Sequence, residues 1–308
     1  MLDRRQAIVG AMCACCLPLY RARAAAFATL REIAPGIHVR RGVAEEATPA
    51  NAGAIANAGF MIGGERVLVF DPGGSLADGA ALRAAIRALT SLPIGHVVMS
   101  HAHPDHIFGA GAFLDDQPAF VGHARLAAAL ATRGDYYRDR LEAVLGPAAA
   151  GPAVMPTVEV TGTLELDLGG RTVRLTAQPL AHTDNDLTLL DLASGTLFGG
   201  DLLFVGRVPA LDGSVLGWLQ VLETLKAAGA AQAVPGHGPE RVDWPAGAAD
   251  LERYLRTLVL ETRVAVRDNI GIEAAVERVG AGERGRWTLF DDYHGRNVTQ
   301  AYKELEWE

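Results

Sequence analysis

Apolar and polar residues alternate along much of the chain up to about residue 204. In three places the alternating segments flank a short turn of small residues: Gly63-Gly64, Gly169-Gly170 or Ser194-Gly195. Alternation with a period of two predicts strands, and a small turn between two strands predicts a hairpin. The pattern therefore predicts hairpins over residues 54–74, 158–182 and 187–204.

Other segments carry apolar residues at helical spacing. Ser75 is a suitable N-cap for a helix to Thr90, with Leu82, Ile86 and Leu89 on one face. Further helices are predicted over 124–131, 138–145 and 217–228, and the chain after Ala246 is predicted to be mostly helical. With an additional strand at His96–Ser100, this order of elements predicts layered α/β sheets with helices outside.

The first residues have a different character. Arg4-Arg5 precede an apolar stretch from Ala7 to Tyr20, and small residues follow up to Ala26. The stretch is too short to span a bilayer as a helix. The pattern is typical of a twin-arginine export signal. We therefore expect a signal over residues 1–26, one domain over 27–308, export through the twin-arginine translocon, and a periplasmic location.

The net charge and the positions of the cysteines limit the kinds of ligand that the domain is expected to bind and the residues that could hold a metal. The chain has 308 residues and a formal net charge of −8, which argues against non-specific binding to nucleic acid. All three cysteines, Cys13, Cys15 and Cys16, lie in the predicted signal. We therefore expect any metal site in the domain to use only histidine and carboxylate ligands.

The most informative motif follows the predicted strand that ends at Ser100. Three histidines and one aspartate lie within six residues, at His101, His103, Asp105 and His106. In an extended segment, residues two apart point to the same side, and Pro104 favours an extended His103. Imidazole and carboxylate ligands at this spacing favour zinc. A single metal cannot easily take all four neighbours, so the motif predicts parts of two adjacent sites.

Three more candidate ligands lie in separate segments. His182, Asp201 and His237 each follow an apolar run and lie near a predicted loop. Loops at strand ends are where a scaffold presents functional side chains.

The segments HAHPDH, AHTDN, GGDLLF and PGHG, in this order, resemble the metallo-β-lactamase superfamily, and the resemblance extends from about Ile37 to His237. It implies a four-layer αββα sandwich with the metals at one edge between the sheets. It also implies that Asp71, in VFDPGG, braces the metal-binding loop.

The resemblance further implies a ligand assignment. His101, His103 and His182 would hold one zinc ion, Asp105, His106 and His237 the second, and Asp201 would bridge both. His38, His96, His123 and His294 match no ligand position, and we expect structural roles for them.

The implied reaction is hydrolysis. Two zinc ions would activate a hydroxide for attack on the carbonyl carbon of an ester, thioester or lactam, with Asp105 as a catalytic proton shuttle. Asp201 stands where one β-lactamase branch carries a cysteine, so lactam hydrolysis in the manner of that branch is disfavoured. The loop 44–59 and the pair Tyr136 and Tyr137 are candidates for contact with the substrate, while Trp218 is expected in the core.

A narrower resemblance links several segments, among them RGDYYRDRL and VPALDGSVLGWL, to exported SoxH-related zinc metallohydrolases of a quinoprotein relay system. It implies a periplasmic setting beside PQQ-dependent dehydrogenases or c-type cytochromes as partners.

Two alternatives remain open at this point. One is a mononuclear iron dioxygenase acting on persulfides, with iron held by His101, His182 and Asp201. The other is a metal-binding accessory protein without catalytic activity.

Overall fold

A seven-stranded sheet forms one half of the molecule. The computed structural model describes residues 30–308, so the predicted export signal lies outside the described residues. The strands, in spatial order, are β1 (Leu30–Ala34), β2 (Ile37–Arg40), β3 (Ala58–Ile62), β4 (Val67–Phe70), β5 (Ile94–Met99), β6 (Ala119–His123) and β7 (Val158–Val160). Neighbours from β1 to β4 are antiparallel, whereas β4 to β7 run parallel.

A six-stranded sheet forms the other half. Its strands are β8 (Thr163–Asp167), β9 (Thr172–Ala177), β10 (Leu187–Asp191), β11 (Thr196–Phe204), β12 (Gln232–His237) and β13 (Val242–Asp243), and their spatial order is the reverse of this list. Only β11 and β12, the third and second strands from the β13 edge, are parallel neighbours; the other neighbours are antiparallel.

Helices cover both sheets on the outside. They are α1 (Leu76–Leu89), α2 (Pro104–Ile107), α3 (Leu126–Leu145), α4 (Val215–Lys226), α5 (Ala249–Arg267), α6 (Ile272–Arg278) and α7 (Phe290–Leu305). Short 3₁₀ turns lie at Ala110–Asp116, Ala246–Ala248 and Ala281–Arg286.

Three apolar clusters define the layers. Val98 and Phe198 belong to the cluster between the two sheets. Val97, the neighbour of Val98 on β5, points the other way and packs with Leu82 of α1, as expected for side chains that alternate along a strand. The third cluster joins the second sheet to α4, α5 and α7 around Trp218. This arrangement is the predicted four-layer αββα sandwich, and the prediction of the fold class is confirmed.

Most predicted elements are present, with two corrections. Ser75 caps α1 by accepting a hydrogen bond from the backbone N–H of Asp78, as predicted. The helix pieces predicted at 124–131 and 138–145 are one continuous helix, α3. The hairpin predicted over 158–182 begins only at Thr163, because Val158–Val160 pairs with β6 in the other sheet.

The topology brings several strand ends to one edge of the sandwich. The carboxyl ends of the parallel strands β4 and β5 meet there, and β11 and β12 of the second sheet end beside them. Loops that follow these four strands can therefore share one site. Among the described residues, no helix is long and apolar enough to cross a membrane.

Candidate metal centre

Seven side chains meet at this edge of the sandwich and form two groups. His101, His103, His182 and Asp201 form the first, and Asp105, His106 and His237 form the second. Within each group, one nitrogen or oxygen of every residue lies within 4.8 Å of the others. The structure thus brings together all seven residues that the sequence predicted as ligands. Their role as metal ligands stays a prediction.

The segment after β5 contains four of the seven side chains: His101, His103, Asp105 and His106. His103 is extended (φ −70°, ψ 145°), and Pro104 begins the short helix α2 directly after it. The rings of His101 and His103 consequently lie 4.7 Å apart, centroid to centroid. The turn of α2 then places Asp105 and His106 toward the second group.

Within the first group, Asp201 lies between the three histidines of that group and the second group. Its Oδ2 is 3.6 Å from His182 Nε2 and 3.8 Å from His101 Nε2. Its Oδ1 is 3.0 Å from His106 Nε2 and 3.4 Å from His237 Nε2. The two oxygens of one carboxylate therefore face different groups, which is the arrangement that a bridging ligand requires.

The first-group histidines are each held by the ring nitrogen that points away from the centre. His182 Nδ1 lies 2.6 Å from the carbonyl oxygen of Ala210, and His103 Nε2 lies 3.0 Å from Asp212 Oδ2. His101 Nδ1 lies 2.9 Å from Ser100 Oγ. Such outer hydrogen bonds fix the tautomer and orientation of metal-binding imidazoles.

The second group is held in the same way. His106 Nδ1 lies 2.8 Å from Asp71 Oδ2, and His237 Nδ1 lies 3.0 Å from the carbonyl oxygen of Ile55. Asp71 also accepts hydrogen bonds from the backbone N–H and the hydroxyl of Ser100. Asp71 is therefore connected to His106 directly and to His101 through Ser100. The bracing role that the resemblance implied for Asp71 stays a prediction.

Two backbone features make this packing possible. Asp71 adopts a left-handed conformation (φ 57°), which is uncommon outside glycine but tolerated better by aspartate than by most residues. Next to His237, a Cβ on Gly236 would lie 2.0 Å from Asp201 Oδ1. A side chain at position 236 would therefore displace the Asp201 carboxylate.

The residues present fit a pair of divalent cations. Three inward-facing atoms are buried and form no well-aligned hydrogen bond among the described residues: His101 Nε2, His106 Nε2 and Asp201 Oδ1, although the last two lie 3.0 Å apart. Buried polar atoms are normally paired, and unpaired ones carry a free-energy cost. Nitrogen and oxygen donors with anchored outer atoms and free inner atoms are suited to a borderline metal such as zinc.

The pKa values show how strongly these charges interact. Burial and the neighbouring His103 lower the pKa of His182 to about 4. Burial also opposes a charge on His106, but Asp201, Asp71 and Asp105 raise the pKa of its imidazole well above the usual range. Despite its burial, Asp201 has a pKa well below the ordinary value because His106 and His237 lie beside it. Asp201 is thus ionised, as a carboxylate ligand must be.

An open cavity of about 640 Å³ leads to the centre. Of the seven residues, His103, Asp105, Asp201 and His237 line it, so a substrate would approach from their side. The volume is within the roughly 300–1,000 Å³ typical of small-molecule sites.

The other candidates fall into two classes. Glu46, Gly53 and Ile55 of the loop 44–59 line the cavity, as do Tyr136 and Tyr137. Trp218 is fully buried, as predicted, and its ring lies 5.1 Å from that of His182. The four histidines expected to be structural, His38, His96, His123 and His294, belong to neither ligand group.

Several residues around the centre were missed in the sequence. Asp212, Arg133, Arg207 and Arg296 all line the cavity. The position of Arg133 could have been predicted from the sequence. The residues that line the cavity from α3 recur at helical spacing: Arg133, Tyr137, Arg140, Leu141 and Val144. The contact of Asp212 with His103 could not have been predicted in this way, because the two residues lie 109 positions apart in the chain.

Comparisons with known proteins agree with this geometry. A sequence profile of the metallo-beta-lactamase superfamily matches residues 52–237, more than half of the chain. The solved structure of TMB-1, described in terms of substrate and inhibitor binding, superposes with a TM-score of 0.59 at 17% identity, covering 75% of this chain and 97% of its own. A metallo-beta-lactamase from Pontibacter korlensis gives a TM-score of 0.61 at 17% identity, covering 74% and 99%. At such identities the likeness shows the fold alone. No curated protein sequence matches the chain.

Proposed function

We propose a hydrolytic function from one premise, that this chain belongs to the metallo-β-lactamase superfamily. The chain would hydrolyse an ester, thioester or lactam with two zinc ions bound. One observation carries the proposal: every histidine of the cluster is anchored through its outer nitrogen, so that seven ligand atoms point inward in two groups joined by Asp201.

His101, His103, His182 and Asp201 would hold one cation, and Asp105, His106, His237 and Asp201 the other. Such cations, when bound, supply Lewis acidity toward a carbonyl oxygen and acidify a bound water to a pKa of roughly 7. The anchored imidazoles contribute by keeping the site rigid, so that no reorganisation is needed during the reaction.

Asp105 is placed to move the proton. Its Oδ2 lies 3.2 Å from His237 Nε2, and the residue lines the cavity. In hydrolysis, the attacking water loses a proton and the C–O, C–S or C–N bond breaks, after which the leaving group needs a proton. A carboxylate at the cavity wall can accept the first proton and deliver it to the leaving group.

Finer features of the proposal come from the sequence. We propose that the protein is exported, matures in the periplasm and belongs near the SoxH-related branch, beside quinoprotein dehydrogenases or c-type cytochromes. The Arg4-Arg5 pattern and the segments similar to that branch support this.

The test is metal content together with turnover. Protein purified from the periplasmic fraction without added metal is analysed by elemental mass spectrometry, and about two zinc ions per chain are expected. Asp105→Asn should reduce turnover of a responsive ester or thioester about 100-fold or more. Asp115→Asn, an exposed aspartate on the nearby 3₁₀ turn, is the matched control.

Other outcomes would overturn parts of the proposal. One iron ion per chain, with oxygen uptake on a persulfide, would replace it with the dioxygenase alternative. Two metals without turnover on any carbonyl substrate would favour the accessory protein. Absence of the protein from the periplasmic fraction would remove the proposed location.

A further inference from the structure

The outer wall of the cavity combines aromatic and cationic side chains. On α3, Arg133, Tyr137 and Arg140 recur at helical spacing and line the cavity. Across from them, α7 contributes Tyr293 and Arg296. Arg296 lies beyond residue 237, where the match to the superfamily profile ends. This wall is therefore built partly from one helix, α7, that the family match does not include.

Two of these arginines converge on one carboxylate. Arg133 Nη1 lies 3.3 Å from Asp212 Oδ2, and Arg296 Nη2 lies 3.7 Å from Asp212 Oδ1. Asp212 Oδ2 also lies 3.0 Å from His103 Nε2. One negative charge thus faces two guanidinium groups and an imidazole, and at least one positive charge is left in excess at this point.

The other carboxylates at the cavity do not balance this excess. Asp105 and Asp201 belong to the ligand groups. Glu46 accepts a hydrogen bond from Tyr293 and forms an ion pair with Arg207. Arg140, on the same helix face as Arg133, forms no ion pair with any residue from 30 to 308.

The two converging guanidinium groups retain free donors. Arg133 uses Nη1 for Asp212 and Tyr137, and its side chain is 58% exposed. Arg296 is 71% exposed, and its one polar contact with residues 30–308 is the long one to Asp212. A guanidinium has five N–H donors, and its fork matches the two oxygens of a carboxylate or phosphate.

We propose that Arg133 and Arg296 bind an anionic group of the substrate, a carboxylate or phosphate, located on the part that extends from the scissile carbonyl toward α3 and α7. Tyr137 packs against the apolar portion beside it. The inference rests on the proposed hydrolytic function and names the substrate class of that same site.

The first experiment compares two esters of matched length on the zinc-loaded protein: the para-nitrophenyl monoester of glutaric acid, which is anionic, and para-nitrophenyl pentanoate, which is neutral. The anionic ester should have the higher kcat/KM. In Arg133→Gln/Arg296→Gln, the anionic-to-neutral ratio of kcat/KM should fall about tenfold or more, because charge-assisted hydrogen bonds to the anion are lost. The loss should appear mainly as a higher KM for the anionic ester.

A matched control removes the same charge elsewhere. Arg174→Gln/Arg263→Gln alters two half-exposed arginines that pair with Glu165 and Glu308, away from the cavity. Its ratio should stay within twofold of the wild type. An equal fall in both double variants would show general electrostatic attraction and would overturn the proposed anion site.

Calorimetric titration of the zinc-loaded protein separates this inference from the hydrolytic one. Benzoate should bind with a lower Kd than benzamide. The ratio of the benzamide Kd to the benzoate Kd should fall about tenfold in the Arg133→Gln/Arg296→Gln variant. If benzoate binding depends on the two arginines but neither ester is hydrolysed, the anion site stands and the hydrolytic proposal fails. If benzoate does not bind, or binds equally to the variant, the anion site is wrong.

Discussion

At the scale of single residues, the orientation of each imidazole in the centre depends on the hydrogen-bond partner of its outer nitrogen. The seven candidate ligands and Asp71 could be predicted because they lie in short motifs. Their partners could not: Ala210 and Ile55 act through backbone carbonyls, which any residue type would supply. Asp212 approaches His103 only because the chain folds back between them.

Asp212 provides a test at this scale. Asp212→Ala should weaken zinc binding about 10- to 100-fold, because His103 loses the carboxylate that holds its outer nitrogen. Asp212→Asn should have a smaller effect, since its amide oxygen can still accept that hydrogen bond. Competition against a colorimetric zinc chelator measures both affinities.

Asp292→Ala is the control for this measurement. Asp292 is an exposed aspartate at the start of α7, outside the ligand groups. Equal zinc affinity in the wild type and Asp212→Ala would show that the contact with His103 does not position the ring.

At the scale of elements, long-range packing determines whether the segment 124–145 forms one helix or two, which the local sequence pattern does not determine. The sequence predicted separate helices over 124–131 and 138–145, and Gly134 lies in the stretch between them. A glycine inside a helix costs about 1 kcal/mol relative to alanine. Burial of Leu126, Leu130 and Leu141 against the first sheet compensates, and α3 continues through the glycine.

The start of α4 illustrates a second long-range interaction. Glu304 of α7 accepts hydrogen bonds from the Ser214 hydroxyl and from the backbone N–H groups of Val215 and Leu216. A carboxylate at this position satisfies free N–H groups and interacts favourably with the helix dipole.

Glu304→Ala should therefore destabilise the protein by about 1–2 kcal/mol. Glu306→Ala, at an exposed position two residues away, should change stability by less than about 0.5 kcal/mol. Urea unfolding of both variants checks this, and equal midpoints would show that Glu304 does not stabilise the junction of α4 and α7.

At the scale of the whole molecule, buried charge links stability to pH. Asp186 is buried beside the first ligand group, and burial raises the pKa of its carboxyl to about 7. In the unfolded chain that pKa is about 3.9. Between these two values the folded protein holds a proton that the unfolded chain has lost. Stability from Asp186 is thus complete below about pH 4 and is lost as pH rises toward 7.

Asp186→Asn should remove this dependence. Between pH 5 and pH 8, the wild type should lose about 2–3 kcal/mol more free energy of unfolding than the variant. Bound cations lower the pKa of a nearby carboxyl, so the difference should be larger without metal. Urea unfolding at several pH values measures it, with the exposed neighbour variant Asp184→Asn as control. Parallel pH profiles for the wild type and Asp186→Asn would contradict the expectation.

Because part of the cavity wall comes from α7, the candidate ligands and the complete cavity wall are synthesised at different times. All seven candidate ligands have been made once His237 is complete. Tyr293 and Arg296, which line the cavity, and Asn297, which holds the backbone at Pro209 and Leu211, come much later. A nascent chain therefore contains all seven candidate ligands, and most of the residues that line the cavity, before α7 has been made, and the part of the wall that α7 contributes is added last.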